Sequence, residues 1–470
     1  MIIRRTNTGD AAPCISRAGT PARFRDEVRS TVCLAAPLIG GHLAIGLIGL
    51  MEAIVAGRHG TTTLAALSIG VSIVFLAKLL PMGTLLALSP AVSRLNGAGR
   101  RSEIGHLFRQ ALWLASLLGS ALFALVTGAV YALEPMGISP DILPGAAAYL
   151  RGARWGMPAL TLYYVMRQLS NGLQWTQPAL LLGICGLAVS IPLSYCLTFG
   201  LLGLPERGAG GLGIAWSLTL WMQVIAFAAY LATSRRFAPL RLFAGFFTWS
   251  NFPRWDPIRE LLRSGLPVGM MVMMEGGLFM VTALLIGQIG AAPSAAHQIA
   301  ISVASICYMI PFGLAEVTAV RIGHARGSGD GPLAVRRAAL VGLTLVLFIQ
   351  TLSGLTLFIG RDSIASLYTR DESVAAIASS LLVLAALFQL PDGIQALFAG
   401  ALRGLRDTRV AMLLVAFAYW CIGLPLAALA LGLDRGPQGM WIGLIAGLGV
   451  AAALLAARFI WSSRPERSNN

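Results

Sequence analysis

Twelve stretches of this chain are long and apolar enough to cross a lipid bilayer. They lie at about 30–56, 62–91, 106–133, 143–169, 177–200, 211–233, 264–288, 293–320, 335–359, 373–401, 409–432 and 438–461. A spanning helix needs ~20 mainly apolar residues. Of 470 residues, 56% are hydrophobic and only 12% charged, more apolar surface than a water-soluble fold of this length could bury. Period-two alternation is absent, which excludes a transmembrane barrel and leaves helices.

The helix breakers repeat. One constant displacement lays Pro37 on Pro267, Gly57 on Gly287, Gly60 on Gly290, Pro81 on Pro311, Gly83 on Gly313 and Gly97 on Gly327. From Pro37 to Gly97 there are 12 identities in 61 positions, where average composition gives roughly 5 by chance. Two copies of one membrane module are a common plan of secondary transporters. Six spans per copy give both copies the same orientation. The expected fold is therefore all-α, with 12 transmembrane helices in two six-helix lobes related by a pseudo-two-fold axis along the membrane normal. The organisation follows: a cytoplasmic tail (1–28), an N-lobe (29–233), a cytoplasmic linker (234–262), a C-lobe (263–461) and a cytoplasmic tail (462–470).

Charge sets the direction. With the N-terminus inside, 27 Lys and Arg fall at inner ends and loops, Arg167 among them, and 7 at outer ones. That bias places both termini in the cytoplasm of a multi-pass plasma (inner) membrane protein. It also accounts for the net charge of +15 without nucleic acid as a partner. The linker mixes Arg235, Arg236, Arg241, Arg254 and Arg259 with Phe246, Phe247, Trp249 and Trp255, which suits a segment lying along lipid headgroups or a plain solvated connector. The six cysteines show no metal-ligand spacing and read as small packing residues. The region before Arg29 has no apolar core of the kind a cleavable signal requires.

Of 20 acidic residues, only Glu52, Glu275, Glu316 and Asp392 fall within the spans. A carboxylate at the bilayer centre costs ~2.5–3.5 kcal/mol on insertion scales, so each needs a compensating partner or a function. Such groups can carry protons, coordinate Na⁺ or attract a cationic substrate. Glu275 lies in a run containing Met270, Met271, Met273 and Met274, flexible side chains suited to a wall that accepts many ligand shapes or simply to filling gaps between helices. Asp392 follows Pro391, whose ring frees a backbone carbonyl beside the acid. Glu52 is paired hypothetically with Lys78, the chain's one lysine. Glu316, near the helix end, reads as a local partner of Arg321.

The segments Leu64–Gly70 and Ala91–Arg100, with Ala295-Ala296-His297-Gln298, Arg321-Ile322-Gly323-His324 and Ala399–Gly404, resemble the NorM branch of the multidrug and toxic compound extrusion (MATE) transporters. The resemblance covers about residues 29–462. It implies two lobes forming a V, and export of organic cationic and aromatic compounds driven by inward Na⁺ or H⁺. It carries Glu275 and Asp392 onto the family's coupling-ion positions, with Na⁺ a candidate ligand there. Glu52 stands where the family usually has Asp. Ser190 and Ser194 replace asparagines expected beside that acid, Phe388 replaces a Tyr, and Lys78 occupies a normally apolar position. These leave an N-lobe polar site of Lys78, Ser190 and Ser194 beside Glu52. Met271, Met274, Phe279, Tyr308 and Phe388 are expected in the substrate cavity.

The functional expectation is a cation-coupled multidrug antiporter, monomeric, with small organic cations and lipids as partners and no cofactor beyond the coupling ion. A lipid-linked precursor flippase would call for several intramembrane Arg or Lys, whereas here the buried charges are mostly acidic. Export of a dedicated metabolite is the other alternative. No His cluster, catalytic acid pair or glycine loop marks an enzyme.

Overall fold

The computed structural model describes residues 24–135, 138–243, 253–433 and 436–464. Arg4, Arg5, Arg17, Arg23 and Cys14 of the N-terminal tail, Phe246, Phe247 and Trp249 of the linker, and the last six residues lie outside the described residues.

The described residues form helices joined by short turns. In chain order these are α1 (Phe24–His59), α2 (Thr61–Gly97, broken after Leu85), α3 (Arg101–Ala132), α4 (Leu143–Ala153 and Gly156–Gly172), α5 (Gln177–Phe199) and α6 (Ala209–Thr233). The second set is α7 (Trp255–Ile289), α8 (Ala291–Ser328), α9 (Gly331–Tyr368), α10 (Glu372–Gly404), α11 (Thr408–Ala416, a π-helical turn Phe417–Gly423, then Leu424–Gly432) and α12 (Gly436–Ser462). Eleven of these are long and apolar enough to cross a membrane as single units. The span expected at 143–169 is not among them: α4 is divided into two shorter helices, Leu143–Ala153 and Gly156–Gly172.

The breaks have one cause. Proline has no N–H to donate to the carbonyl four residues earlier. Pro90 leaves Leu86 without that bond where α2 breaks, and Pro158 does the same to Arg154 in the gap of α4. Pro425 stands in that relation to Cys421, inside the π turn of α11. Several helices also run past their apolar spans at the end carrying the basic loops, here termed the basic end. α7 begins at Trp255, within the stretch read as linker, and Trp255 is 67% exposed.

The repeat predicted from sequence is visible in the packing. Gly60 and Gly290, at φ +156° and +149°, make the equivalent turns between α1 and α2 and between α7 and α8. The two lobes meet where α1 and α2 face α7 and α8, and contacts there occur as pairs related by the displacement of the sequence repeat. A Cβ added to Gly83 would lie 2.6 Å from Gly269 Cα, while one on Gly313 would lie 2.6 Å from Ile39 Cγ1. Ser93 Oγ donates to the Val320 carbonyl at 2.7 Å; in the mirrored contact, Gly323 packs on the Pro90 carbonyl, 2.7 Å from a built Cβ. These contacts occupy the middle and the basic half of the helices. Towards the opposite end, Gly46 and Gly49 of α1 meet nothing within 4 Å, and Ser68, Ser72 and Phe75 of α2 and Gln298 and Ser305 of α8 are exposed. The lobes are sealed at the basic end and diverge towards the other.

Candidate functional site

The acids of the C-lobe converge. Glu275 is half-buried in the middle of α7, and its Oε1 accepts from Gln395 Nε2 of α10 at 3.3 Å. Asp392 lies one turn earlier on α10, 2% exposed, within electrostatic reach of Glu275 and beside Gln395. Its Oδ1 is buried with no hydrogen-bond partner. The Tyr308 hydroxyl of α8 faces Glu275. Tyr419, in the π turn of α11, is fully buried with an unpartnered hydroxyl and senses both acids. Extra helix turns of this kind recur at functional sites because they re-aim one side chain without ending the helix.

The local sequence prepares this geometry. Pro391 frees the Leu387 carbonyl next to Asp392. Gly393 has no side chain, so Gln350 of α9 can reach in and donate to both the carbonyl and Oε1 of Gln389 at 3.0 Å. Glu275, Tyr308, Gln395 and Arg403 line a cavity of about 40 Å³, together with Met271 and Phe312. That is room for a few waters or a small ion. The Glu275 carboxylate and the Tyr308 hydroxyl face that space, with the Arg403 cation at its edge. The unpartnered oxygens of Asp392 and Tyr419 lie outside its lining but within electrostatic reach of Glu275. Carboxylate oxygens so placed can share a proton or accept a small hard cation.

Other residues singled out in the sequence are placed differently. Met274 is half-buried on α7. Phe388 is 2% exposed in the C-lobe core, where its ring meets Phe279 at 6.0 Å and Trp441 at 5.7 Å. Trp441 in turn donates to His297 at 3.2 Å.

In the N-lobe, Glu52 is 4% exposed with Oε1 unpartnered. α1 and α5 run parallel in close contact: a Cβ on Gly41 would sit 3.4 Å from the Ala179 carbonyl and one on Gly183 3.3 Å from Ala44. Extended two turns further, that register points Ser190 towards the level of Glu52, though no hydrogen bond joins them. Ser190, Ser194 and Thr198 form a buried stripe at four-residue spacing, each with a hydroxyl that finds no partner. Lys78 of α2 and Glu52 feel each other's charge. No ion pair within 4.0 Å joins them among the described residues, and the Lys78 ammonium lies 5.5 Å from the Phe75 ring.

Glu316 has other partners than the one read from sequence. Its Oε2 lies 3.2 Å from His42 Nε2 of α1 and 3.4 Å from Arg167 Nη2 of α4, and Gln168 donates to Oε1 at 3.4 Å. Arg321 instead pairs with Glu27 at 3.2 Å and contacts Thr31. Arg167 is not an inner-end loop charge but is 2% exposed inside α4. Pairing along one helix favours residues three or four positions apart, and Arg321 is a position beyond that reach of Glu316. The fold brings Glu316 a histidine 274 positions away and an arginine 149 away. His42, Arg167, Gln168 and Tyr419 were missed as site residues. An unaccompanied Arg and His within apolar spans was the signal that could have marked the first two.

Two six-helix lobes, meeting in one pseudo-symmetric seam with buried acids on either side, define a polytopic membrane transporter. The MatE family model matches residues 37–196 and 267–429, one copy in each lobe, and the chain belongs to that family. It falls in the NorM branch. It is 56% identical over 455 residues to the probable multidrug resistance protein NorM of Xanthomonas campestris pv. campestris, covering 97% of this chain and 98% of that protein. Multidrug resistance protein PmpM of Pseudomonas aeruginosa is 39% identical over 454 residues, covering 94% and 93%. Among solved structures, the eukaryotic MATE transporter AtDTX14 superposes with a TM-score of 0.86 at 22% identity, covering 95% of this chain and 98% of that one. The Vibrio cholerae MATE transporter VcmN in its bent form gives 0.83 at 17%, covering 94% and 98%.

Proposed function

We propose that this protein is a multidrug efflux antiporter that exports organic cationic and aromatic compounds in exchange for an inward-moving Na⁺ or H⁺. The observation that carries the reading is the meeting of Glu275 and Asp392, with Gln395 and Tyr308, on the C-lobe side of a cleft sealed at one end. The names of the relatives, multidrug resistance proteins at 56% and 39% identity, support the substrate class. The Lys and Arg bias supports an inner-membrane protein whose basic end and termini are cytoplasmic. The described conformation is then outward-facing, and a monomer suffices for the cycle.

In that cycle the coupling cation enters from outside and neutralises the acid pair, which weakens its hold on a cationic drug. The drug leaves, the lobes rock, and release of the cation inside recharges the site. Coupling requires only that ion and drug favour different states of one site. Ethidium efflux from energised, drug-sensitised cells, with Na⁺ present or replaced, tests the reading in wild type and Asp392→Asn. Efflux that depends on Asp392 and follows the Na⁺ gradient makes it a sodium antiporter; efflux that depends on Asp392 and ignores Na⁺ makes it a proton antiporter. Wild type that reaches the membrane and exports nothing overturns it.

A further inference from the structure

The cluster at the lobe seam contains a titratable ring that the cycle above does not use. His42 is 8% exposed in the middle of α1. Its Nε2 lies 2.8 Å from Arg167 Nη2 and 3.2 Å from Glu316 Oε2, and its Nδ1 lies 3.4 Å from the same Arg167 nitrogen. The Phe312 ring closes the site edge-on at 5.0 Å. Arg167 and Gln168 belong to α4 of the N-lobe, and Glu316 to α8 of the C-lobe. Arg403 of α10 lies within electrostatic reach of Glu316, and the Tyr164 ring lies 5.6 Å from the Arg167 guanidinium.

The short contact decides the proton count. An arginine nitrogen only donates, so the Nε2 of His42 accepts in its shorter contact with Arg167 Nη2. Its 3.2 Å approach to the Glu316 carboxylate is then not a hydrogen bond but two acceptors held together by the same guanidinium. That requires the neutral ring with its proton on Nδ1. The Glu316 carboxylate is already matched by Arg167 and assisted by Gln168. A proton added to Nε2 would turn an accepting atom towards a guanidinium N–H. It would also place a third cation, with Arg167 and Arg403, around one carboxylate in a site almost wholly shielded from water. The new attraction to Glu316 does not offset that, because buried charge beyond the one compensated pair carries its full desolvation cost. If the lobes part at the basic end, Glu316 and Arg403 leave with the C-lobe while Arg167 stays beside the ring. What then lets His42 charge is water, which hydrates the imidazolium, screens Arg167 and removes the desolvation cost that the loss of the carboxylate would otherwise add to.

We propose that His42 is a second proton-binding site, separate from the Glu275–Asp392 pair: the sealed seam holds its ring neutral, and a proton arriving from the basic end favours opening of that end. This site rests on the transport cycle above only in requiring that the lobes part there. Histidine is the one side chain whose ordinary titration lies between about pH 5 and 8, so the bias would act in the range the cytoplasm visits.

The test is the distance between the lobes at the basic end, measured by pulsed electron resonance on protein in lipid nanodiscs. Spin-labelled unnatural amino acids at Ala98, after α2, and at Leu333, on α9, leave the native cysteines in place. Both positions are exposed. In wild type the long-distance population should rise as pH falls from about 8 to about 5, with the open-to-closed ratio changing about tenfold if the two states differ by one unit in proton affinity. Asp392→Asn, which removes the acid pair's own contribution, should keep a slope, and His42→Gln, which can still accept from Arg167 but cannot charge, should lose the share of the wild-type slope that Asp392→Asn keeps. Should His42→Gln fail to fold, His42→Asn reads the same slope. The proposal is overturned if the neutral variant titrates as wild type does, or if wild type shows no pH dependence or closes on acidification. A distance that never lengthens, with or without substrate, would overturn the alternating-access reading as well. Lengthening that ignores His42 would overturn this proposal alone.

Discussion

Gly97 and Gly327 each press against the helix that carries the other. A Cβ on Gly97 would run into the His324 carbonyl, and one on Gly327 into the Arg94 carbonyl. All four positions obey the displacement that lays Pro37 on Pro267. The seam is thus self-complementary, as an isologous interface between two copies of one module must be.

The first prediction concerns that seam. Gly327→Val should force the lobes apart at the basic end and cost about 1–3 kcal/mol, the usual range for overpacking, read as a lower thermal transition in detergent with loss of efflux. Gly128→Ala, on α3 with nothing within 4 Å of its added methyl, should leave both unchanged or raise the transition slightly through helix propensity. Equal effects of the two variants would show that the seam is not tightly packed.

Ion pairing around Glu316 gives a second. Glu316→Ala leaves Arg167 buried without its carboxylate, a change that costs about 3–5 kcal/mol where a buried pair is broken from one side. Arg321→Ala removes a mostly shielded pair with Glu27 and a hydrogen bond to Thr31 at the helix ends, where water can reach the groups left behind, and should cost less, about 1–3 kcal/mol. Chemical denaturation of the two variants measures both, and the reverse ranking would restore the sequence-based pairing of Glu316 with Arg321.

Glu275→Gln should fold as wild type does, because Gln395 can still bond to the amide, yet reduce ethidium efflux to the empty-vector rate. Met274→Leu, away from the cavity lining, should change efflux less than Met271→Leu. Retained efflux in Glu275→Gln would move the coupling step elsewhere.

Asp371 caps α10 outside the membrane, its Oδ1 accepting from the Ser373 backbone N–H at 2.9 Å and the Ser373 hydroxyl at 2.7 Å. The Ser373 hydroxyl, then the backbone N–H groups of Ser373 and Val374, hold its pKa below the ordinary 3.8. A depressed folded-state pKa means the stabilisation is fully present above about pH 4 and is lost as pH falls through the lower folded value. The thermal transition of Asp371→Ala should therefore lie below that of wild type at pH 7 and converge with it in acid. A constant gap would mean that the carboxylate charge plays no part.

Much of this molecule could be read before any helix was packed. Hydrophobic length, the repeat of Pro and Gly, and the distribution of basic residues are properties of local windows, and a window is all that a bilayer tests. The rarity of Glu275, Asp392 and Glu52 in apolar surroundings marked them as exceptional for the same reason. Phe388 shows the limit: an aromatic ring near an acid in sequence is equally suited to a cavity wall and to a core, and neighbours from α7 and α12 put it in the core.

The all-helical membrane class and the twofold organisation were therefore settled at the level of the chain, as was the rarity of acids within its apolar stretches. The partners were settled only by packing: which carbonyl faces Gly97, that Tyr419 is turned towards the acids, and that Glu316 belongs to His42 and Arg167. The spanning helices are similarly apolar, so nothing local says which will be neighbours. That choice is made by side-chain fit and charge compensation between segments as much as 274 residues apart.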